Sequence, residues 1–182
     1  MASRVAVQLE THNPDWARWA AREVERLRTV VGESLLKVHH IGSTAISGIV
    51  AKPILDLLPV FQSLAELNAA RPMFESLGYD WRGEYGLPGR RYCTLRDPQT
   101  GRRLVHAHGY AAGDPEIARH LAFRDYLRAH AEIAGAYEAE KKRCRLLHPH
   151  DSGAYSEAKN AWIQPVQSAA LTWWRARRGS EN

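Results

Sequence analysis

The chain has 182 residues, 45% hydrophobic and 25% charged, with 25 Lys and Arg against 20 Asp and Glu for a formal charge of +5. That length can bury a self-sufficient core in one domain without disulfides or a structural metal. The composition excludes an intrinsically disordered chain, and the lack of any apolar run near the roughly 18 residues a bilayer requires excludes a membrane helix. The opening MASRVAVQLE lacks the apolar segment of a signal peptide, and Cys93 and Cys144 stand in no metal or redox spacing, so a reducing, cytoplasmic setting with two free thiols is expected. The modest basic excess favours anionic partners, phosphorylated metabolites included. Arg175, Arg177 and Arg178, after Trp173 and Trp174, read as a solvated helix end.

Val5, Val7 and Leu9 alternate with polar residues and predict a first strand. Asn13-Pro14-Asp15 then carries the cap, the N1 proline and the acid of a helix start, and Trp16, Trp19, Ala20, Val24, Leu27 and Val31 mark its apolar face as far as Gly32. Both tryptophans are expected in the core. Residues 35–41 and 54–61 read as strands, the second so continuously apolar that it belongs inside a sheet. Ser63 and Glu66 form a capping box for a helix that Pro72 disturbs and Gly78 ends. Residues 79–84, 91–96 and 102–108 read as further strands, the last two joined by the turn Asp97-Pro98-Gln99-Thr100-Gly101, so the sheet is mixed. From Asp114-Pro115-Glu116 onward the pattern is helical, with breaks near His130, around Pro149-His150-Asp151 and at Pro165.

Between the second and third predicted strands lies Gly42-Ser43-Thr44, a turn whose free amides and hydroxyls can meet phosphate oxygens, although a plain tight loop has the same composition. Asp56 is embedded in Ile54-Leu55-Asp56-Leu57-Leu58, where an acid needs a partner or a metal, and Lys52 immediately precedes that strand. His106 and His108, two residues apart on a strand, project from one face and suit a single cation or phosphate. His40 adds a third imidazole before the turn. Glu84, within Gly83-Glu84-Tyr85-Gly86, is a further candidate acid, and Arg90 and Arg91 offer forked donors to phosphate. His120 and Arg124 share a helix face, with Asp125 and Arg128 beside it, and Tyr155 and Lys159 form a second pair four residues apart. A solvated ion-pair face is the plainer explanation of these helical charges.

The runs His40-Ile41-Gly42-Ser43-Thr44-Ala45, Lys52-Pro53-Ile54-Leu55-Asp56, Gly89-Arg90-Arg91-Tyr92 and His120-Leu121-Ala122-Phe123-Arg124-Asp125-Tyr126-Leu127, in this order over nearly the whole chain, resemble the GrpB family. The resemblance implies an α/β (α+β) fold: a nucleotidyltransferase-like mixed β-sheet flanked by helices, with a C-terminal helical layer packed on it. One domain over residues 1–182 is expected, with residues 1–111 holding the sheet and 112–182 the helices. Nucleotidyltransferases place a Gly-Ser turn before a strand bearing Asp-x-Asp, with a third carboxylate on a later strand, to organise a triphosphate around two Mg²⁺ ions. Asp56 matches the first acid, Leu58 stands at the second, and His106 and His108 replace the third. Neutral imidazoles suit Zn²⁺, Mn²⁺ or Fe²⁺ better than Mg²⁺.

Two functions follow from the resemblance. The enzyme transfers a nucleotidyl or related group from ATP or another nucleotide to a small acceptor, with Ser43, Asp56 and His106 catalytic and Asp56, His106 and His108 holding a divalent metal, Mg²⁺, Mn²⁺ or Zn²⁺. His40, Gly42, Ser43, Thr44, Lys52 and Glu84, with Arg90, Arg91, His120, Arg124 and Lys159, would then bind phosphate or substrate. The alternative is a non-catalytic module for a nucleotide or coenzyme A precursor, favoured by Leu58; a related domain occurs fused to dephospho-CoA kinase in some bacteria. An RNA-binding role ranks last, since no RNA-binding motif is present, and no obligate protein partner is evident.

Overall fold

The computed structural model describes residues 6–179. They fall into two compact units that interleave in sequence: a sheet unit of Asn13–Ala45 and Ile54–Ile117, and a helical unit of Met1–His12, Ile46–Pro53 and Ala118–Asn182. Among the described residues, no helix is long and apolar enough to cross a membrane.

The sheet unit opens with α1 (Asp15–Val31), where the Asn13 side chain accepts from the Asp15 amide at 2.9 Å and Gly32, at φ 75°, closes the last turn. Trp16, Ala20, Leu27 and Val31 are buried on its inner face, but Trp19 is 43% exposed, so only one of the two tryptophans is core. Strands β1 (Leu35–Ile41), β2 (Leu55–Phe61), β3 (Tyr79–Trp81), β4 (Arg91–Arg96) and β5 (Arg103–Ala111) form one sheet in the order β1-β2-β5-β4-β3. Only β2 and β5 run parallel, so the sheet is mixed as expected. β2 lies inside it, flanked on both sides, and is buried at every position except Asp56.

Between β2 and β3 the helix expected to be disturbed at Pro72 is divided into two short ones, α2 (Leu64–Ala69) and α3 (Arg71–Ser76), with Pro72 in the first turn of the second, where its missing amide costs no helical hydrogen bond. Ser63 Oγ accepts from the Glu66 amide at 3.2 Å and caps the first. Phe74 of α3 fills one sheet face, with its ring centroid 5.4 Å from that of Tyr79 and 5.8 Å from that of Trp81. On the same side the Tyr79 hydroxyl donates to Glu23 of α1 at 2.7 Å. This apolar layer leaves the opposite face to Asp56, Thr94, His106 and His108, which strand alternation points the other way.

The helical unit contains most of α4 (Pro115–Ala129), then α5 (Ala131–Leu147), α6 (Ser152–Ala158) and α7 (Asn160–Gly179). Ile46, Ile49, Leu127, Ala134 and Tyr137 form one core, closed by Phe123, Trp162 and Ile163, and the Tyr137 and Trp162 rings stack at 5.1 Å. Pro165 does not break α7. It removes one amide donor near the helix start, while Trp162, Ile163 and Val166 around it pack on that core. The expected N-terminal strand is not formed among the described residues, Val5 lying outside them. Glu10 makes an isolated bridge with Ala51, and the Val7 amide donates to Pro149 O at 2.9 Å. Val7 and Leu9 alternate inward because they pack with Cys144 and Tyr155, so the periodicity reports a side-chain cluster and not a sheet.

Candidate functional site

The geometry begins with strand register. Ile41 at the end of β1 lies opposite Asp56, and the chain turns at Gly42 into a single 3-10 turn, Ser43–Ala45. Gly42 has φ 70°, and a Cβ placed on it would sit 2.3 Å from Asp56 Oδ2. Both the left-handed backbone and the close approach require glycine, so the turn rests directly against the carboxylate. His40 Nε2 and Thr44 Oγ1 are 2.8 Å apart, which ties the end of the strand to the turn.

Asp56 is paired in register with His106 on parallel β5, and the period of two brings His108 to the same face. Asp56 Oδ1 is 3.4 Å from His106 Nδ1 and 3.4 Å from His108 Nε2. The carboxylate is 29% exposed and each imidazole 15%. Burial pushes the Asp56 carboxyl upward, but hydrogen bonds to His106 and His108 and electrostatic attraction to the two rings outweigh it and hold the group well below the usual carboxylate range. Tyr92 of β4, the register partner of His108 on β5, presses its ring 5.2 Å from His108 and 5.6 Å from His106, and burial drives its hydroxyl up to about 12.

One ligand atom each from Asp56, His106 and His108 lies within 4.8 Å of the other two. A cation with tetrahedral bonds of about 2.0–2.1 Å separates its ligand atoms by roughly 3.3–3.4 Å; the two edges to the carboxylate oxygen are 3.4 Å, and the edge between the two imidazoles is within 4.8 Å. The buried Nε2 of His106 has no hydrogen-bond partner among the described residues, which leaves Nδ1, facing Asp56, as its polar outlet. The donor set therefore fits a divalent cation, and two imidazoles with one carboxylate suit Zn²⁺ or Mn²⁺.

The other residues singled out in the sequence are distributed more widely. In the sheet unit, Arg90 is 8% exposed and gives Nη2 to Tyr85 O at 2.7 Å and Nε to Glu84 O at 3.2 Å. Glu84 accepts from the Gly89 amide at 2.8 Å and pairs with Arg91 at 3.5 Å. Arg91 and His40 alternate to the sheet face away from Asp56, and Arg91 bonds Asn68 of α2. In the helical unit, Lys52 Nζ donates to Ser152 Oγ at 3.1 Å, and the Lys52 and Lys159 ammoniums lie 5.2 and 4.4 Å from the Tyr155 ring centroid. His120 contacts Arg119, and Arg124 pairs with Asp125 at 2.7 Å.

Sequence reasoning passed over Tyr92, Tyr85 and Lys141. Lys141, 1% exposed, donates to Val50 O and lies 4.7 Å from the Tyr137 ring centroid. Burial, and secondarily the Lys159 charge, push its ammonium down to about 7. The available signal was its place in the buried stripe Ala134, Tyr137, Lys141 and Cys144 of α5.

The model of the GrpB protein family matches residues 6–169. The chain belongs to the GrpB family. The crystal structure of GrpB from Enterococcus faecalis, 36% identical, superposes with a TM-score of 0.85 over 92% of this chain and 99% of that one. UPF0157 protein YqkA of Bacillus subtilis is 38% identical over 176 residues, 96% of this chain, and the chain spans 50% of YqkA's own length. The RNA terminal uridylyl transferase Cid1, 12% identical, matches 73% of this chain and 41% of its own with a TM-score of 0.53, a likeness of fold that places this GrpB protein among nucleotidyltransferase-like folds. In this GrpB protein Leu58 is fully buried two residues from Asp56, on the same side of β2 where Asp-x-Asp would place its second acid.

Proposed function

We propose that this GrpB protein is a metal-dependent, nucleotidyltransferase-like enzyme that moves a nucleotidyl or related group from a nucleoside triphosphate to a small-molecule acceptor. The observation that carries the reading is the Asp56, His106 and His108 cluster with the Gly42-Ser43 turn pressed onto its carboxylate. A divalent cation held by those three side chains supplies neutralisation of phosphate charge and orientation of the leaving group. Asp56 stays ionised to hold it, the turn offers backbone amides and the Ser43 hydroxyl to phosphate oxygens, and His106 and His108 fix the side of the sheet on which the reacting phosphorus sits. Lys52, His120, Arg124 and Lys159 are candidate phosphate-binding side chains on their chemistry, and on this reading the whole chain works as one domain.

Leu58 favours a second reading, a module that binds a nucleotide or coenzyme A precursor without turning it over, because a two-metal reaction lacks its second acid. One experiment separates the two. Metal content of the purified protein is measured, and pyrophosphate release from each nucleoside triphosphate is followed with Mn²⁺, Zn²⁺ and Mg²⁺. Bound metal with pyrophosphate release, both lost in Asp56→Asn, supports the enzyme. Metal-dependent thermal stabilisation by nucleotides without release supports the module. Asp56→Asn should weaken metal binding by about tenfold or more; unchanged binding with a lowered melting temperature would sink both readings and leave Asp56 a structural acid.

A further inference from the structure

Next to the Asp56, His106 and His108 cluster stands a loop, residues 83–89, whose construction the proposed chemistry does not use. Its glycines Gly83, Gly86 and Gly89 all have positive φ, yet the fourth positive-φ position holds Tyr85, at φ 45°. Tyr85 is the one non-glycine residue in that region among the described residues. A bulky side chain is costly there and persists only where its surroundings over-determine it. They do so here. The Arg90 guanidinium, almost fully buried, clamps the carbonyls of Glu84 and Tyr85, and the Glu84 carboxylate reaches back to the Gly89 amide.

What this clamp holds in place is a ring. Tyr85 is 61% exposed, but one of its faces is already occupied, stacked on Tyr92 at 5.1 Å with 24° between the planes. Tyr92 is in turn 5.2 Å from the His108 ring, so two ring-to-ring steps connect Tyr85 to the candidate metal ligands. The Arg90 guanidinium also lies 5.0 Å from the Tyr92 ring centroid and pins the lower member of the stack. A rigid aromatic ring with one face anchored and the other open, at the edge of a phosphate-chemistry site, is suited to a flat π-system.

We propose that the outer face of Tyr85 is the platform on which the nucleobase of the substrate nucleotide stacks, while its phosphates lie at the Asp56, His106 and His108 cluster. The inference rests on the phosphate-transfer reading above and adds to it the residue that recognises the base. Stacking of this kind accepts any base, because every base has a π-face. Purine and pyrimidine nucleotides should therefore bind with similar affinities, and Tyr85 positions the substrate without taking part in the reaction.

The test compares ligands with and without a base on the intact protein. Calorimetric titrations with Mn²⁺ present use ATP, UTP and inorganic tripolyphosphate against wild type, Tyr85→Ala, Tyr85→Phe and Asp56→Asn. Wild type should bind ATP and UTP more tightly than tripolyphosphate. Tyr85→Ala should weaken ATP and UTP by about tenfold while leaving tripolyphosphate within about twofold, and Tyr85→Phe, which keeps the ring, should match wild type within about twofold for all three. Equal affinities of wild type for nucleotide and tripolyphosphate, or a Tyr85→Ala effect that is absent or the same on all three ligands, overturns the platform. Asp56→Asn should weaken every ligand alike; its indifference, with the Tyr85→Ala difference intact, would overturn the metal-phosphate reading instead. Binding of no ligand by wild type overturns both.

Discussion

Replacing Gly42 with alanine tests the geometry on which the candidate site depends. The new Cβ would lie 2.3 Å from Asp56 Oδ2 and 2.9 Å from Asp56 Cβ, on a backbone at φ 70°. The left-handed conformation costs a non-glycine residue about 1–2 kcal/mol, and forcing a methyl into filled space costs about 1–3 kcal/mol more. The sum, roughly 2–5 kcal/mol, is a large part of the 5–15 kcal/mol typical of a domain. Gly101→Ala is the matched control, because Gly101 has φ 68° in the same unit but its new methyl would meet no atom within 4 Å. Urea denaturation of both variants should show Gly42→Ala less stable than Gly101→Ala by about 1–3 kcal/mol, the contact contribution alone. If the Asp56 side chain swings aside to relieve the clash, it leaves His106 and His108, and Mn²⁺ affinity should drop in place of stability. A Gly42→Ala protein no less stable than Gly101→Ala, and binding Mn²⁺ like wild type, would refute the close approach of turn and carboxylate.

Lys141 titrates near 7 in the folded protein, below its ordinary value of 10.5, so between about pH 7 and 10 the unfolded chain binds the extra proton and stability should rise with pH. Urea melts over that range should show the rise, and Lys141→Met should flatten it and be more stable than wild type at pH 6. Arg90→Lys loses the fork that spans two carbonyls, so limited proteolysis should cut within residues 83–89 sooner than in wild type, with a stability loss of about 1–3 kcal/mol. Thiol titration in denaturant without reductant should find both Cys93 and Cys144; in the native state Cys93 should react slowly, since burial pushes its thiol far up.

Local pattern made much of the sheet unit legible. The apolar runs of β1 and β2, the Asp97–Gly101 turn and the Ser63 cap all lie where their residue types place them, since each depends on neighbours in sequence. The i, i+2 spacing of His106 and His108 gave their common face for the same reason. Their meeting with Asp56, up to 52 residues away, depends on the parallel register of β2 and β5, which no local pattern encodes; there the family resemblance and the oddity of an acid in an apolar strand did the pointing. Where tertiary partners decided, local reading failed. Val7 and Leu9 alternate toward Cys144 and Tyr155 and not into a sheet, Trp19 remains outside, and α7 runs through Pro165. Lys141 and Tyr85 went unnoticed because a lysine in a charged run and a tyrosine in a glycine-rich loop look solvent-facing until burial and backbone angles are known.

The interleaving of the two units has an evolutionary consequence. Ile46–Pro53, which belongs to the helical unit, is strung between β1 and β2 of the sheet unit, and the helical unit also takes residues from before α1. No single cut in the gene separates one unit from the other, so recombination cannot trade the sheet for a new one while keeping the helices. The two can be inherited, duplicated or joined to other coding sequence only as a block, and the family model, over residues 6–169, takes in segments of both units.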